Sequence, residues 1–146
     1  MKININSIIY PLLIIISLCS SIRAFADYGN AEVSRVISVY DGDTFKADIK
    51  GYQAVVGTNI SIRVANIDTA EIRAGCSDEK VMALKGREFT LKALSSASVI
   101  ELRDIKRGKY FRLVADVYID GVNLGSELRK AGLAVEYGKE HSWCRL

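Results

Sequence analysis

Between Glu32 and Ile49 apolar and polar positions alternate in places, Val, Ile and Tyr are abundant, and Asp41-Gly42-Asp43 breaks the run. This pattern predicts two strands around a tight turn. Gly51 and Gly57 punctuate the next segment, and Ile60 to Ile67 reads as a third strand. From Ser77 to about Ser96, Met82, Leu84, Phe89, Leu91, Ala93 and Leu94 recur at imperfect helical spacing, with Ser77 or Asp78 placed to cap the start. Val99 to Ile105 and Phe111 to Ile119 are two further predicted strands, joined by a basic turn at Lys106-Arg107-Gly108 and ended by Asp120-Gly121. In the second of these, Arg112, Val114, Asp116 and Tyr118 share one face while Leu113, Ala115, Val117 and Ile119 share the other. Asn123 is placed to cap a short helix whose Leu124, Leu128 and Ala131 are spaced to pack inward, and Gly132 to stop it.

The order strand, strand, strand, helix, strand, strand, helix describes a mostly β chain with some α (α+β). Five strands with a helix between the third and fourth match the oligonucleotide-binding (OB) barrel, a small Greek-key barrel, here followed by a short C-terminal helix. Internal repeats and low-complexity segments are absent from the sequence, and its one proline, Pro11, lies near the start.

The first residues follow a different pattern. Lys2 leads into an apolar run from Ile8 to Leu18, then Ser20-Ser21 and Ala24-Phe25-Ala26. A positive start, a short apolar stretch and small residues at the third and first positions before a cut predict a signal peptide over 1–26, cleaved before Asp27. The run is shorter than the ~20 residues that span a bilayer, so no stable membrane association is expected after cleavage. Leu18 before Cys19 does not fit a lipid-attachment signal. The expected product is a single domain over 27–146, periplasmic or secreted, and a monomer.

Loss of Lys2 and Arg23 changes the charge picture. The full chain carries +3, but 18 of its 20 Lys and Arg then remain against 17 Asp and Glu, about +1. Net charge therefore does not announce a nucleic-acid partner, and any polyanion site must come from local arrangement. Export would leave Cys76 and Cys144 as an even pair in a compartment that permits disulfides, and a bridge is expected. Two unpaired thiols or half of a metal site are the alternatives; a single histidine, His141, and no CxxC spacing argue against zinc.

His141 lies close to the C-terminus with no signature linking it to a nucleophile, which disfavours histidine-based catalysis, and no GK[ST] phosphate loop is present after residue 26. Oxygen ligands and guanidinium groups remain: Asp41-Gly42-Asp43-Thr44, Ile62-Arg63, Asn66-Ile67-Asp68-Thr69-Ala70-Glu71 and Arg112. Each piece alone has a plain structural reading, as a hairpin turn, a helix cap or a solvated strand residue.

Together they form an ordered series. Val39-Tyr40-Asp41-Gly42-Asp43-Thr44 is followed by Ile62-Arg63-Val64-Ala65-Asn66-Ile67-Asp68-Thr69-Ala70-Glu71, then Lys109-Tyr110-Phe111-Arg112, Ala115-Asp116-Val117-Tyr118, Asp120-Gly121, Val122-Asn123 and Gly132-Leu133-Ala134. From about Val33 to Tyr137 the chain resembles the staphylococcal nuclease (thermonuclease) family. The resemblance implies a calcium-dependent endonuclease acting on DNA and RNA. It implies Asp43 and Asp68 as carboxylate ligands to Ca2+, with the main-chain carbonyl of Thr69, a donor set of hard oxygens. It further implies Glu71 as the group that positions or deprotonates water, and Arg63 and Arg112 as the arginines that grip the scissile phosphate. Lys109 and Tyr110 match phosphate contacts, and Tyr137 an aromatic near the nucleotide. Lys106 and Arg107 would extend the basic edge.

Two positions depart from the family pattern, Ala70 where proline is usual and Phe111 where glycine is usual. Strict alternation from Arg63 would put Asp68 on the opposite face, so both reach one site only if the strand bends or ends between them. The rival expectation is a barrel that binds single-stranded nucleic acid or a protein partner without cutting it. Persistence of both arginines and all three carboxylates favours catalysis.

Overall fold

The computed structural model describes residues 28–144, so the expected signal peptide lies outside the described residues. Strands β1 (Ala31–Val39), β2 (Thr44–Ile49) and β3 (Ile60–Val64) form an antiparallel meander, with one helical turn, α1 (Ala54–Gly57), between the last two. A short strand β4 (Ile67–Thr69) leads toward the long helix α2 (Ser77–Ser96). Strands β5 (Ile100–Arg107) and β6 (Leu113–Ile119) form an antiparallel hairpin. The chain ends with β7 (Val122–Asn123), α3 (Leu124–Lys130) and β8 (Ala134–Glu136).

Two further pairings close the sheet. β1 pairs antiparallel with β5, and β3 pairs parallel with β6 through Ile62 and Leu113, Arg63 and Val114, and Val64 and Ala115. The five-stranded barrel expected from the order of elements is the architecture found. Its interior follows from period-two alternation: Phe45, Ala47 and Ile49 point inward from β2, Ile62 and Val64 from β3, and Leu113, Ala115 and Val117 from β6. Full burial of a side chain such as Phe45 or Ile62 contributes about 1.5–3 kcal/mol.

The expected third strand to Ile67 stops at Val64 instead. The amide of Ala65 still donates to the carbonyl of Ala115 at 2.9 Å, and Asn66 then takes a left-handed φ of 63°. Asparagine tolerates that conformation better than most residues. The chain restarts as β4, which pairs with β8 outside the barrel (Asp68 opposite Val135, Thr69 opposite Ala134). This break is the bend that Arg63 and Asp68 require.

Helix α2 has the expected bounds but a different cap and a different inner face. The Sγ of Cys76, one residue before the expected cap, accepts from the Glu79 amide at 3.5 Å. Its buried residues are Ala83, Gly86, Thr90 and Leu94, whereas Leu84 and Leu91 are exposed. Proximity explains the small residues: a Cβ on Gly86 would lie 3.4 Å from the Cα of Gly42 in the β1–β2 loop. Thr90 donates its hydroxyl to the Gly42 carbonyl at 2.6 Å, and Arg87 donates Nε to the Val39 carbonyl at 3.0 Å. The helix therefore holds the loop that carries Asp41 and Asp43.

Asn123 caps α3, its Oδ1 accepting from the Ser126 amide at 2.8 Å, and Leu124 and Leu128 are buried; Ala131, expected inward, is exposed because the helix has already ended at Lys130. Gly132 follows with φ 69°, as its stopping role predicts. The hairpin turn also lies later than expected, since Lys106 and Arg107 belong to β5 and β6 begins only at Leu113. Cys76 and Cys144 are joined by a disulfide, which ties the tail to the start of α2 across 68 residues.

Candidate active site

The β1–β2 loop, the β3–β4 break and the residues after β4 meet at one side of the barrel. Asp43 is 2% exposed, and every bond it makes serves to fix it. Its Oδ1 accepts from Arg63 Nη1 at 2.6 Å and from the Thr44 hydroxyl at 2.8 Å. Its Oδ2 accepts from the Thr69 amide and hydroxyl, each at 3.2 Å. Asp68 Oδ1 accepts from Arg63 Nη2, and Oδ2 accepts from the Gly138 amide at 3.1 Å. One guanidinium thus spans both aspartates, and its Nη2 also donates to the Ile67 carbonyl at 3.2 Å. The convergence of Arg63, Asp43 and Asp68 rests on the left-handed turn at Asn66.

Asp41, to which the sequence assigned no separate role, lies beside Asp43 in the same loop. It is 4% exposed, and its Oδ1 accepts from the Asp43 amide at 3.1 Å. Burial, then the charge of Asp43, then that of Glu71 push its carboxyl up from 3.8 to about 7. Glu71 is held by its backbone amide, which donates to Glu79 Oε1 at 3.2 Å. Its own carboxyl is raised by desolvation first and then by Asp43; Arg63 opposes, while Glu79 and Asp68 add smaller upward contributions. Arg63 thus pairs with Asp43 and Asp68, and the charges of Asp43 and Glu71 act on Asp41. A set of hard oxygens with excess negative charge fits a divalent cation of the calcium type better than a soft or nitrogen-seeking ion.

Beside this cluster a cleft of about 530 Å³ opens over the outer face of β3 and β6. Arg63, Lys109, Arg112 and Tyr137 line it. The Arg112 Nε is buried without a hydrogen-bond partner. An unsatisfied buried donor on a cation is costly, and an anionic oxygen in the cleft would satisfy it. Tyr137 stands over Arg63, whose Cζ is 5.9 Å from its ring centre.

Of the nine residues expected at the site, eight lie in or around the carboxylate cluster or the cleft. Tyr110 differs: it is 91% exposed at the hairpin tip and does not line the cleft. Its φ of 58° turns the backbone, so the side chain projects outward. Asn66, Asp104 and Asp116, to which the sequence assigned no role at the site, also line the cleft, with Asn66 Nδ2 donating to Asp116 Oδ1 at 3.4 Å. Asp104 and Asp116 come from the two strands of the β5–β6 hairpin and Asn66 from the break between β3 and β4, a meeting that nothing local in the sequence signals. Asp41 did carry a signal, since it is half of an Asp-Gly-Asp loop. A separate trio, Cys76, Glu79 and Cys144, is close enough to hold an ion, but both sulfurs are committed to their disulfide.

No curated protein matches the chain. A family model described as staphylococcal nuclease homologue matches residues 61–144, a stretch that contains Arg63, Asp68, Thr69, Glu71 and Arg112 while the barrel supplies Asp43 from outside it. With more than half of its 146 residues in that match, the chain belongs to the staphylococcal nuclease homologue family.

Proposed function

We propose that the protein is an exported, calcium-dependent nuclease that hydrolyses phosphodiester bonds of DNA and RNA. The observation that carries this reading is the pair Arg63 and Arg112 in one cleft, the second with a buried, unpartnered Nε, beside the Asp43 and Asp68 carboxylates that Arg63 holds. Two planar guanidinium forks suit the non-bridging oxygens of a phosphodiester and stabilise the charge that grows on them as water attacks. Asp43 and Asp68, with the Thr69 carbonyl, would hold the calcium ion, which when bound supplies positive charge to the phosphate and to the attacking water.

Glu71 would take the proton of that water. Its proton affinity lies above that of an ordinary carboxylate, chiefly through desolvation, which suits a general base. The new bond joins the water oxygen to phosphorus, and the bond that breaks releases a sugar oxygen that is protonated from solvent. Arg63 holds both aspartates here, so substrate phosphate and the carboxylates draw on the same fork. Lys109 and Tyr137 would flank the strand. The bridged pair Cys76–Cys144 supports export to an oxidising compartment; cleavage before Asp27 and a monomeric product are part of the same proposal.

Arg112→Lys tests the carrying observation. Lysine keeps the charge and loses the fork, so turnover falls about 100-fold or more, the scale of losing one oxyanion donor, while the thermal midpoint stays close to that of the parent. Unchanged turnover would remove Arg112 from the mechanism.

A further inference from the structure

The turn between β5 and β6 carries an aromatic side chain that neither the core nor the proposed reaction uses. Phe111 is 79% exposed and has a φ of 59°, a left-handed conformation that favours glycine over any residue with a branched or bulky side chain. The phenyl ring gains little from burial there. Its recorded neighbour is the Arg107 guanidinium, whose Cζ lies 5.2 Å from the ring centre and whose Nη1 donates to the Phe111 carbonyl at 3.4 Å. Lys106 and Lys109 stand on either side of the turn and line the cleft, and the next residue along the chain, Arg112, enters it. A flat apolar ring on a disfavoured backbone, backed by a guanidinium and set among cations, has the chemistry for one class of ligand. That ligand carries an open π face on a polyanionic backbone.

We propose that Phe111, backed by Arg107, is a stacking subsite for an unpaired base of a nucleic-acid strand, just outside the cleft, with the phosphates of that strand directed to Lys106 and Lys109. The subsite rests on the nuclease reading only for the identity of its ligand. Stacking needs an exposed base face, which a single strand offers and a duplex interior does not, and it is tolerant of sequence. The subsite therefore selects for unpaired strands through binding, separately from the chemistry at Arg63, Glu71 and Arg112.

The test is anisotropy titration of a fluorescein-labelled single-stranded DNA decamer, and of a blunt DNA duplex, with the purified protein in excess EDTA, where binding is read without cleavage. Phe111→Ala is expected to weaken single-strand binding about 5- to 20-fold, the range of one lost base stack, and duplex binding less than about twofold. Phe111→Gly should show the same loss while its thermal midpoint rises, because glycine relieves the left-handed backbone. Phe111→Trp should retain the affinity. A ring kept for structure alone would give the opposite pairing, lower stability with unchanged selectivity. Single-strand binding within about twofold of the parent in both Phe111→Ala and Phe111→Gly, or equal losses for single strand and duplex, would overturn the proposal. A protein that shows this loss yet never cuts nucleic acid with calcium keeps the subsite and loses the nuclease reading; one that cuts normally with a silent Phe111 does the reverse.

Discussion

Replacing Asp41 with asparagine should stabilise the calcium-free protein, and the gain should depend on pH. Asp41 is buried between the Asp43 backbone and the Glu71 charge, and its carboxyl is raised from 3.8 to about 7. A raised carboxyl means that the folded state holds its proton more tightly than the unfolded one. Well below 3.8, at about pH 3 and lower, both states are protonated and nothing is lost. As pH rises from about 4 to about 7 the unfolded chain ionises first, so folding loses stability, and the full penalty is present above pH 7. At about 1.4 kcal/mol per tenfold change the shift from 3.8 to about 7 sets an upper bound of about 4 kcal/mol. Sharing of the charge with Asp43 and the extra amide N–H that asparagine must satisfy reduce the expected gain to about 2 kcal/mol at pH 8 and about zero at pH 3. Asparagine retains the oxygen that accepts from the Asp43 amide, so the loop itself is preserved. Urea denaturation in excess EDTA, followed by fluorescence of Trp143, the one tryptophan in the chain, measures the difference. Saturating calcium should shrink it, because the parent then has a cation to balance Asp41. A pH-independent difference, or a variant less stable than the parent at pH 8 in EDTA, would refute the electrostatic account of the loop.

Two other perturbations follow from the same geometry. Cys144→Ser opens a loop of 68 residues, for which chain entropy predicts a loss of about 4 kcal/mol in urea denaturation; thiol counting on the unreduced parent should find neither Cys76 nor Cys144 reactive, and a loss below about 1 kcal/mol would deny the bridge a structural role. Gly42→Ala places a Cβ 2.9 Å from Thr69 Cγ2 and 3.2 Å from its Oγ1, with Gly86 closing the other side. The demand there is for space, so alanine should cost about 2 kcal/mol and, by displacing Thr69 from Asp43, weaken calcium binding in a calorimetric titration; a neutral substitution would show that α2 does not pin the loop.

The barrel was readable because its strands bury one face each: Phe45, Ala47 and Ile49 alternate with Lys46 and Asp48, and Leu113, Ala115 and Val117 with Val114 and Asp116. The bounds of α2 were equally plain, but its inward face was not. Leu84 and Leu91 look like core residues until the closeness of Gly42 is known, and only then do Ala83, Gly86 and Thr90 make sense as the buried face. Elements of two to four residues, α1, β7 and β8, are too short to leave a periodic signal. At the site, residue types and order along the chain suggested Arg63, Asp43 and Asp68, whereas their meeting depends on one left-handed residue, Asn66, and on β4 leaving the barrel to pair with β8. Alternation alone places Arg63 and Asp68 apart. Glu79, which fixes the Glu71 backbone, is a helix residue in the first turn of α2, and its contact is set by tertiary packing with no local mark.

The central claim is that these carboxylates and arginines hydrolyse nucleic acid. The measurement that tests it most directly is digestion of single-stranded DNA, double-stranded DNA and RNA by the purified protein in calcium against excess chelator, with Glu71→Gln in parallel. The account predicts cutting that requires calcium and falls about 100-fold or more in Glu71→Gln, the scale of a lost general base, while the variant still unfolds cooperatively. Tight binding without cutting in calcium, or a Glu71→Gln variant as fast as the parent, would contradict it.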